Sequence, residues 1–478
     1  MSKRIFTVLT IDGGGVRGII SARLLQEIEE RTGLPTCELF DLIAGSSTGG
    51  ILAGALSAPA KDDPTKPRYT AKEMVAFYQE YSHIIFPEDK FRQWKHFVPA
   101  MSGFFDPKPL EDILEEKLEN LTLRDTLTHL MMAGADMKRF APVWMSYFHE
   151  QDKQNAEYQK WENLKLRDAI RASASPPLVF PAKYIYTQPN KNMPEAADRH
   201  AFLDGSLFAS TLPRRAHSKA KQIAPQDARI VLLSVGTGSL EQSLTPDAMN
   251  KMTPFDWMRT VIFSASTELT LQDLLNDLYE EIGSDLCRLD VVIDGKADEG
   301  PSTGLFDAQK DNMDKLLKLA EDLISEKDQE IDRICTLLTA KHQQDLDMEH
   351  SRDALSHLYE KLGDVSSVRD LNQLYTKIVQ YSADIKDQQP AAKDVEVYEL
   401  CQEVSPEHFP QLKEYYNARH NELSHLEANP QKKKGLARFF NFSCLRRGSN
   451  DNKKSKPAQN PETKPEPKKA NKNSGRQP

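Results

Sequence analysis

Cysteine is scarce in this chain, and the scarcity bounds its chemistry. Five cysteines stand among 478 residues, at Cys37, Cys287, Cys335, Cys401 and Cys444. An odd number at scattered positions offers no disulfide framework and no metal cluster, and it fits a reducing compartment. Long apolar runs are missing too. None approaches the roughly 20 residues that a membrane-spanning helix needs. The sequence passes almost at once from Met1 into an apolar strand, so no secretory leader is visible. The expectation is a cytoplasmic protein that touches membranes peripherally, with a leader-independent export route as the alternative. No grouping of ligand residues stands out, so neither a metal nor a cofactor is expected.

What is present suits an α/β domain with an appendage. Hydrophobic residues make up 39% and charged residues 28% of the chain, enough for one large core and something smaller. The formal net charge of −9 hides an asymmetry. Residues 431–478 carry fourteen Lys/Arg against three Asp/Glu, a net of +11, which leaves −20 on the rest. This tail is rich in Pro, Asn and Ser and is expected to be disordered. Its first part, 432–447 (KKKGLARFFNFSCLRR), mixes basic and bulky apolar residues. Such a segment is drawn to anionic lipid by about 1 kcal/mol per basic residue near the surface, and Cys444 offers a site for a lipid chain. The plain alternative is a solvated tail that aids solubility. The acidic body speaks against a nucleic-acid partner.

Two glycine-rich turns lie near the start. Ile5 to Ile11 reads as a strand by its β-branched content, and Asp12-Gly13-Gly14-Gly15-Val16-Arg17-Gly18 follows it. Phe40 to Ala44 reads as a short buried strand, followed by Gly45-Ser46-Ser47-Thr48-Gly49 and a small-residue helix. G-x-S-x-G between strand and helix fits a nucleophile elbow, with Ser47 on the sharp turn. The bland alternative is a helix cap without chemistry. Gly13 to Gly18 formally matches the dinucleotide fingerprint G-x-G-x-x-G, but the second strand runs into a serine turn and not to a ribose-binding acid. The other reading is an oxyanion hole, in which Gly13, Gly14 and Gly15 let backbone N–H groups approach a substrate oxygen. Arg17 either holds an anionic head group or ties down the loop.

A serine nucleophile needs a base. None of the twelve histidines stands in an obvious triad context. His217 is possible by order, but its setting (RRAHSKAK) reads as solvated surface. Asp204, at the end of an apolar run and followed by Gly205, is the better candidate, because a carboxylate within reach of a hydroxyl can take its proton directly.

On these residues the chain resembles the patatin-like phospholipases. The resemblance rests on DGGGVRG at 12–18, GSSTG at 45–49 and DG at 204–205, with Arg171 to Pro177 before Phe180-Pro181, and Leu232 to Gly238, in register between and after them. It covers about residues 4–325. It implies a three-layer α/β/α hydrolase with a mainly parallel sheet and a Ser–Asp dyad without histidine. Ser47 is then the nucleophile, Asp204 the base, and Gly13, Gly14 and Gly15 the oxyanion donors. The third motif departs from the usual Asp-Gly-Gly or Asp-Gly-Ala: here it is Asp204-Gly205-Ser206, with a hydroxyl placed to retune Asp204.

The expected organisation is a catalytic domain at 1–325, a helical region at 326–428 and a disordered basic tail at 429–478. Helices are predicted over Met313 to Ile331, Asp353 to Leu362, Val368 to Ala383 and Pro410 to Leu426, with a linker at 384–397. The aromatic stretch from Tyr78 to Phe105 is read as core packing first and as a lipid-accepting lid second, and so is the group Met252, Phe255, Trp257 and Met258. The expected activity is phospholipase A-type cleavage of ester-linked fatty acids. The alternative is a catalytically silent scaffold that binds membranes or a protein through its C-terminal region.

Overall fold

The computed structural model describes residues 3–88, 105–149, 161–187, 198–207, 212–241, 250, 266–294, 300–302, 304–382 and 394–428. Phe91, Trp94, Phe97 and Phe104, the group Met252 to Met258, and segment 432–447 with Cys444 lie outside them. The chain divides into two compact units, 1–349 and 350–478.

The first unit is built on an eight-stranded sheet. Its parallel part joins β1 (Ile5–Ile11), β2 (Leu42–Gly45), β3 (His129–Asp136), β7 (Arg229–Val235) and β9 (Leu286–Leu289), with β1 in the middle. Three strands pair antiparallel at the β3 side: β4 (Ala141–Tyr147) and β6 (Asp198–Asp204) on β3, and β5 (Lys183–Thr187) on β6. A two-stranded sheet pairs β8 (Ser239–Glu241) with β10 (Val292–Asp294).

Strand alternation explains the layers. Successive side chains of a strand face opposite ways. Ile5, Leu9 and Ile11 of β1 join one apolar core, while Phe6 and Val8 join another. Val231, Leu233 and Val235 of β7 and Leu232 divide in the same manner. The first core is covered by α1 (Gly18–Thr32), α3 (Thr48–Leu56), α4 (Ala71–Ile85), α5 (Lys108–Leu118), α6 (Leu166–Ser173) and α9 (Lys310–Glu326); α2 is the single turn Thr36–Leu39. The second core is covered by α7 (Leu212–Ile223) and α8 (Ser266–Ile282). Helices on both faces of a mixed, largely parallel sheet give the three-layer α/β/α architecture.

Helix α10 runs unbroken over Asp328–Asp364, where the sequence reading placed one helix ending at Ile331 and another starting at Asp353. Residues 332–352 contain neither glycine nor proline, so nothing in the backbone stops the helix. The first unit extends past residue 325 because Ile331, Ile334, Cys335 and Leu338 of α10 enter the first core. In the second unit, the end of α10 packs with α11 (Val368–Ser382), α12 (Val395–Glu403) and α13 (Phe409–Ala428) around Leu358, Leu371, Ile378, Cys401 and Leu412. Tyr375 and Tyr416 stack there at 3.8 Å. Val395 to Val397, expected in a linker, open α12, because Val397 buries into this core. No helix among the described residues is long and apolar enough to cross a membrane.

Candidate active site

The site follows from how three strands share one partner. β4 pairs with β3 from Leu130 to Asp136 and occupies one edge of it. The other edge takes β2 opposite His129 to Met132 and then β6 opposite Gly134 to Asp136. β2 arrives in one direction and ends at Gly45 opposite Met132; β6 arrives in the other and ends at Asp204 opposite Gly134. The two strands meet almost end to end, two β3 residues or about 7 Å apart. The turn after β2 carries Ser47, so a serine and an aspartate 157 positions apart in sequence converge at one sheet edge.

Ser47 stands at the N-cap of α3 with φ 54° and ψ −122°. A non-glycine residue held at positive φ is strained, and such strain persists only where the surroundings enforce it. The enforcement is visible. A Cβ at Gly45 would collide with the Gly49 carbonyl, and one at Gly49 would collide with the Ile11 carbonyl. Both glycines are therefore required for the elbow to close against β1. Ser47 N–H donates to Ser173 Oγ at 3.1 Å, and the Thr48 hydroxyl pairs with that of Tyr78.

Asp204 is fully buried. Its amide donates to Ser175 O at 2.9 Å, and its Oδ1 accepts from Ser206 N–H at 2.8 Å. Burial pushes its carboxyl up to about 6, against the lowering pull of Ser206, of the Ser47 hydroxyl and of Arg171. Ser47 is thus close enough to act on the carboxylate, although Oδ2 closes no hydrogen bond of ordinary length among the described residues. A carboxylate in this condition is poised to accept a proton near neutral pH.

The glycine loop is fastened from behind. Val16 N–H donates to Leu305 O at 2.9 Å, and Thr237 Oγ1 donates to Gly13 O at 2.6 Å. A Cβ at Gly14 would overlap the Thr237 side chain, and one at Gly15 (φ 58°) would overlap Leu305 O. Below the loop, Arg288 bridges Asp12 at 2.6 Å and Asp290 at 2.9 Å, and Asp290 accepts from Gly238 N–H at 2.9 Å. Burial raises the Asp12 carboxyl despite this partner. Among the described residues, no backbone acceptor takes the amides of Gly13, Gly14 or Gly15. A Cβ at Gly13 would stand 3.1 Å from that of Ser47, so the loop borders Ser47. Arg17 is buried, 5% exposed, inside the 3-10 turn Gly15–Arg17.

A small cavity of about 40 Å³ opens at Ser47 and Thr48 and is walled by Gly15, Phe86, Phe180 and Phe306. Phe86 packs on Phe105, Phe180 and Phe306 at ring distances of 5.1 to 5.8 Å. The described part of the aromatic stretch is thus packed core and, through Phe86, a wall of the cleft at once.

Three features escaped the sequence reading. His217 is buried, 2% exposed, and faces Glu281 at 3.9 Å. The charged neighbours Arg214 and Lys221 reach Glu281 from the outer side of α7, which made the segment read as solvated surface. Among the described residues no histidine hydrogen-bonds Ser47. The segment Arg171 to Ser175 clamps both halves of the site, Ser173 on Ser47 and Ser175 on Asp204. Arg171 itself is 1% exposed and donates to Ala174 O at 3.2 Å, to Pro181 O at 3.2 Å and to Ser175 Oγ, with Glu111 at 3.3 Å. In sequence, Arg171 to Pro177 stands out only as part of the family resemblance, and nothing local marks its clamping contacts.

A family model described as "Patatin-like phospholipase" matches residues 9–216. Patatin-T5 of Solanum tuberosum is 28% identical over 344 residues, covering 66% of this chain and 83% of that protein. Patatin-like protein 2 of Oryza sativa subsp. indica is 27% identical over 394 residues, covering 76% and 93%. Among solved structures, VipD from Legionella pneumophila is similar over 88% of each chain at 12% identity and a TM-score of 0.29. The matched stretch runs from within β1 into α7 and so contains both glycine turns, Arg171 to Ser175 and Asp204. Over residues 9–216, a little under half of its length, this chain is similar to the patatin-like phospholipases.

Proposed function

We propose that the protein is a lipid acyl hydrolase working through a Ser47–Asp204 dyad. The observation that carries the reading is the junction of β2 and β6 on β3, which sets a strained serine beside a buried carboxylate with a raised pKa. The similarity of residues 9–216 to patatin-like phospholipases supports a lipid-ester substrate class.

Ser47 Oγ attacks the ester carbonyl carbon while Asp204 Oδ2 accepts its proton. The carbonyl π electrons move onto oxygen, and the amides of Gly13, Gly14 and Gly15 receive that oxyanion. Thr48 N–H, the first amide of α3, is an orphan donor of the helix N-terminus and faces the same region. One such donor contributes about 3 kcal/mol to the transition state. Collapse breaks the ester C–O bond, and the leaving alcohol takes the proton from Asp204. Water then attacks the acyl-Ser47 carbonyl, Asp204 accepts its proton and returns it to Ser47 Oγ, and the free fatty acid departs.

Ser47→Ala is expected to lower turnover of a fluorogenic lipid ester by roughly ten-thousand-fold; retention of activity removes Ser47 as the nucleophile, and absence of turnover in the parent protein favours the silent scaffold. The pH profile carries a second expectation. The base works ionised, so kcat/KM should rise with pH through about 6 and level off above it. A profile flat from pH 5 to 8 contradicts Asp204 as base.

Peripheral membrane contact belongs to the same proposal. Segment 432–447 supplies the charge, and the β3–β4 turn and strand β5 add exposed aromatics: Phe140 is 84%, Tyr186 63% and Tyr184 50% exposed, with the Arg199 guanidinium 3.8 Å from the Tyr184 ring. Rings of this kind with cations beside them suit a membrane interface.

A further inference from the structure

A second cavity, larger than the one at Ser47, lies nearby. It measures about 260 Å³ and lies between α3, α4 and α5, with Ile170 of α6 at its back. Its interior is apolar, formed by Ala55, Met74, Ile113, Leu114 and Leu118, and its polar residues include Glu73, Glu80 and Lys117. No part of the chemistry described above uses it. Two residues, Ile51 and Phe77, line both this cavity and the small one at the nucleophile. They form a wall one side chain thick between the two.

Helix geometry connects the spaces. Ser47 caps α3, Ile51 lies four residues on and Ala55 four further, so the three share one face of the helix. Along that face the chain passes the nucleophile, the dividing wall and the floor of the larger cavity within about 12 Å. The nucleophile cavity, at about 40 Å³, has room for only a few water-sized groups. A long acyl chain bound at Ser47 must therefore continue elsewhere. The larger cavity approaches the roughly 300 Å³ at which small-ligand sites begin and lies directly in line.

We propose that the cavity between α3, α4 and α5 is the acyl-chain site, entered past Ile51 and Phe77, and that it sets the preference for long over short acyl groups. This rests on the hydrolase reading above. The occupant is the distal hydrocarbon of the substrate or of the released fatty acid. The shared wall and the common helix face place the cavity next to the nucleophile cavity. Phe77 is partly buried and packs against Tyr81 with ring centroids 5.1 Å apart, and the proposed entry requires its side chain to turn aside.

The test compares palmitoyl and acetyl esters of one fluorogenic alcohol on the full chain. Ala55→Phe fills the floor and should lower the palmitoyl-to-acetyl ratio of kcat/KM by about tenfold or more. Phe77→Ala removes the wall and should raise that ratio. Ala76→Trp, on the exposed side of α4 at the cavity lining, should act as Ala55→Phe does without touching the core, which covers the case that Ala55→Phe fails to fold. Binding of the fluorescent fatty acid cis-parinaric acid to Ser47→Ala should be weakened about tenfold by Ala55→Phe or Ala76→Trp, independently of turnover. An unchanged ratio and unchanged binding in folded variants overturn the cavity assignment alone. Turnover of both esters surviving in Ser47→Ala overturns the Ser47–Asp204 reading and the acyl-chain assignment with it.

Discussion

Asp204→Asn is expected to cost about a thousandfold or more in ester turnover and, at pH 8, to make the protein more stable. The activity loss is the one that the proposed role of Asp204 as general base implies. The stability gain follows from linkage. In the unfolded chain this carboxyl titrates at its ordinary 3.8, whereas burial pushes it up to about 6 in the native state. A raised native pKa means that the folded protein holds the proton more tightly. Its contribution to stability is fully present below about pH 4 and is lost as pH rises through 6; above that, the buried charge costs about 3 kcal/mol, as an order of magnitude. Asparagine keeps the shape and keeps an oxygen for Ser206 N–H but carries no charge. Thermal melts of the two proteins should nearly coincide at pH 4, and the variant should melt higher at pH 8. A variant that melts lower at pH 8 shows that the carboxylate is better solvated than its burial implies. Activity and stability moving in opposite directions is the mark of a group held in a costly state for chemistry.

The second large effect is at Arg171. Arg171→Ala should lower unfolding stability by about 3–5 kcal/mol, the usual consequence of breaking a buried, multiply bonded ion. Its loss strips the partners from Ala174 O and Pro181 O and leaves a void beside Phe180, whose ring centroid lies 5.0 Å from the guanidinium. It also takes away a cation that lowers the pKa of Asp204, so the acidic limb of the remaining activity should move to higher pH. Arg171→Lys keeps the charge but not the fork. It should lose stability while its limb stays near that of the parent. Urea unfolding and the pH profile of kcat/KM measure the two effects separately. An alanine variant with an unmoved limb denies Arg171 any electrostatic role at the site and leaves it a purely structural one.

Part of this molecule is legible residue by residue. The elbow at 45–49 and the loop at 13–15 are local: glycine is placed where a Cβ would strike the Gly49, Ile11 or Leu305 carbonyls, and a turn of that tightness leaves a mark in composition. Strand alternation in β1 and β7 is equally local, and it announces a sheet covered on both faces. Other features hide because their causes are distant in sequence. His217 is flanked by cations and reads as exposed, yet α7 turns it inward against Glu281, 64 positions away. Nothing marks Asp290 as the acceptor of Gly238 N–H, or Arg288 as the bridge to Asp12, until β9 lies beside β7. The long helix α10 was divided in the sequence reading because its buried face changes partner core along its length.

By itself the amino-acid order determined which residues are able to turn sharply, which are able to attack and which are able to accept a proton, because steric freedom and side-chain chemistry belong to each residue alone. Whether Ser47 and Asp204 meet was decided by tertiary structure: β2 and β6 compete for one edge of β3, each ends where the other begins, and the Arg171 to Ser175 segment then clamps the junction. The raised pKa of Asp204 has the same origin, since burial is a property of the packed layers and of no single residue.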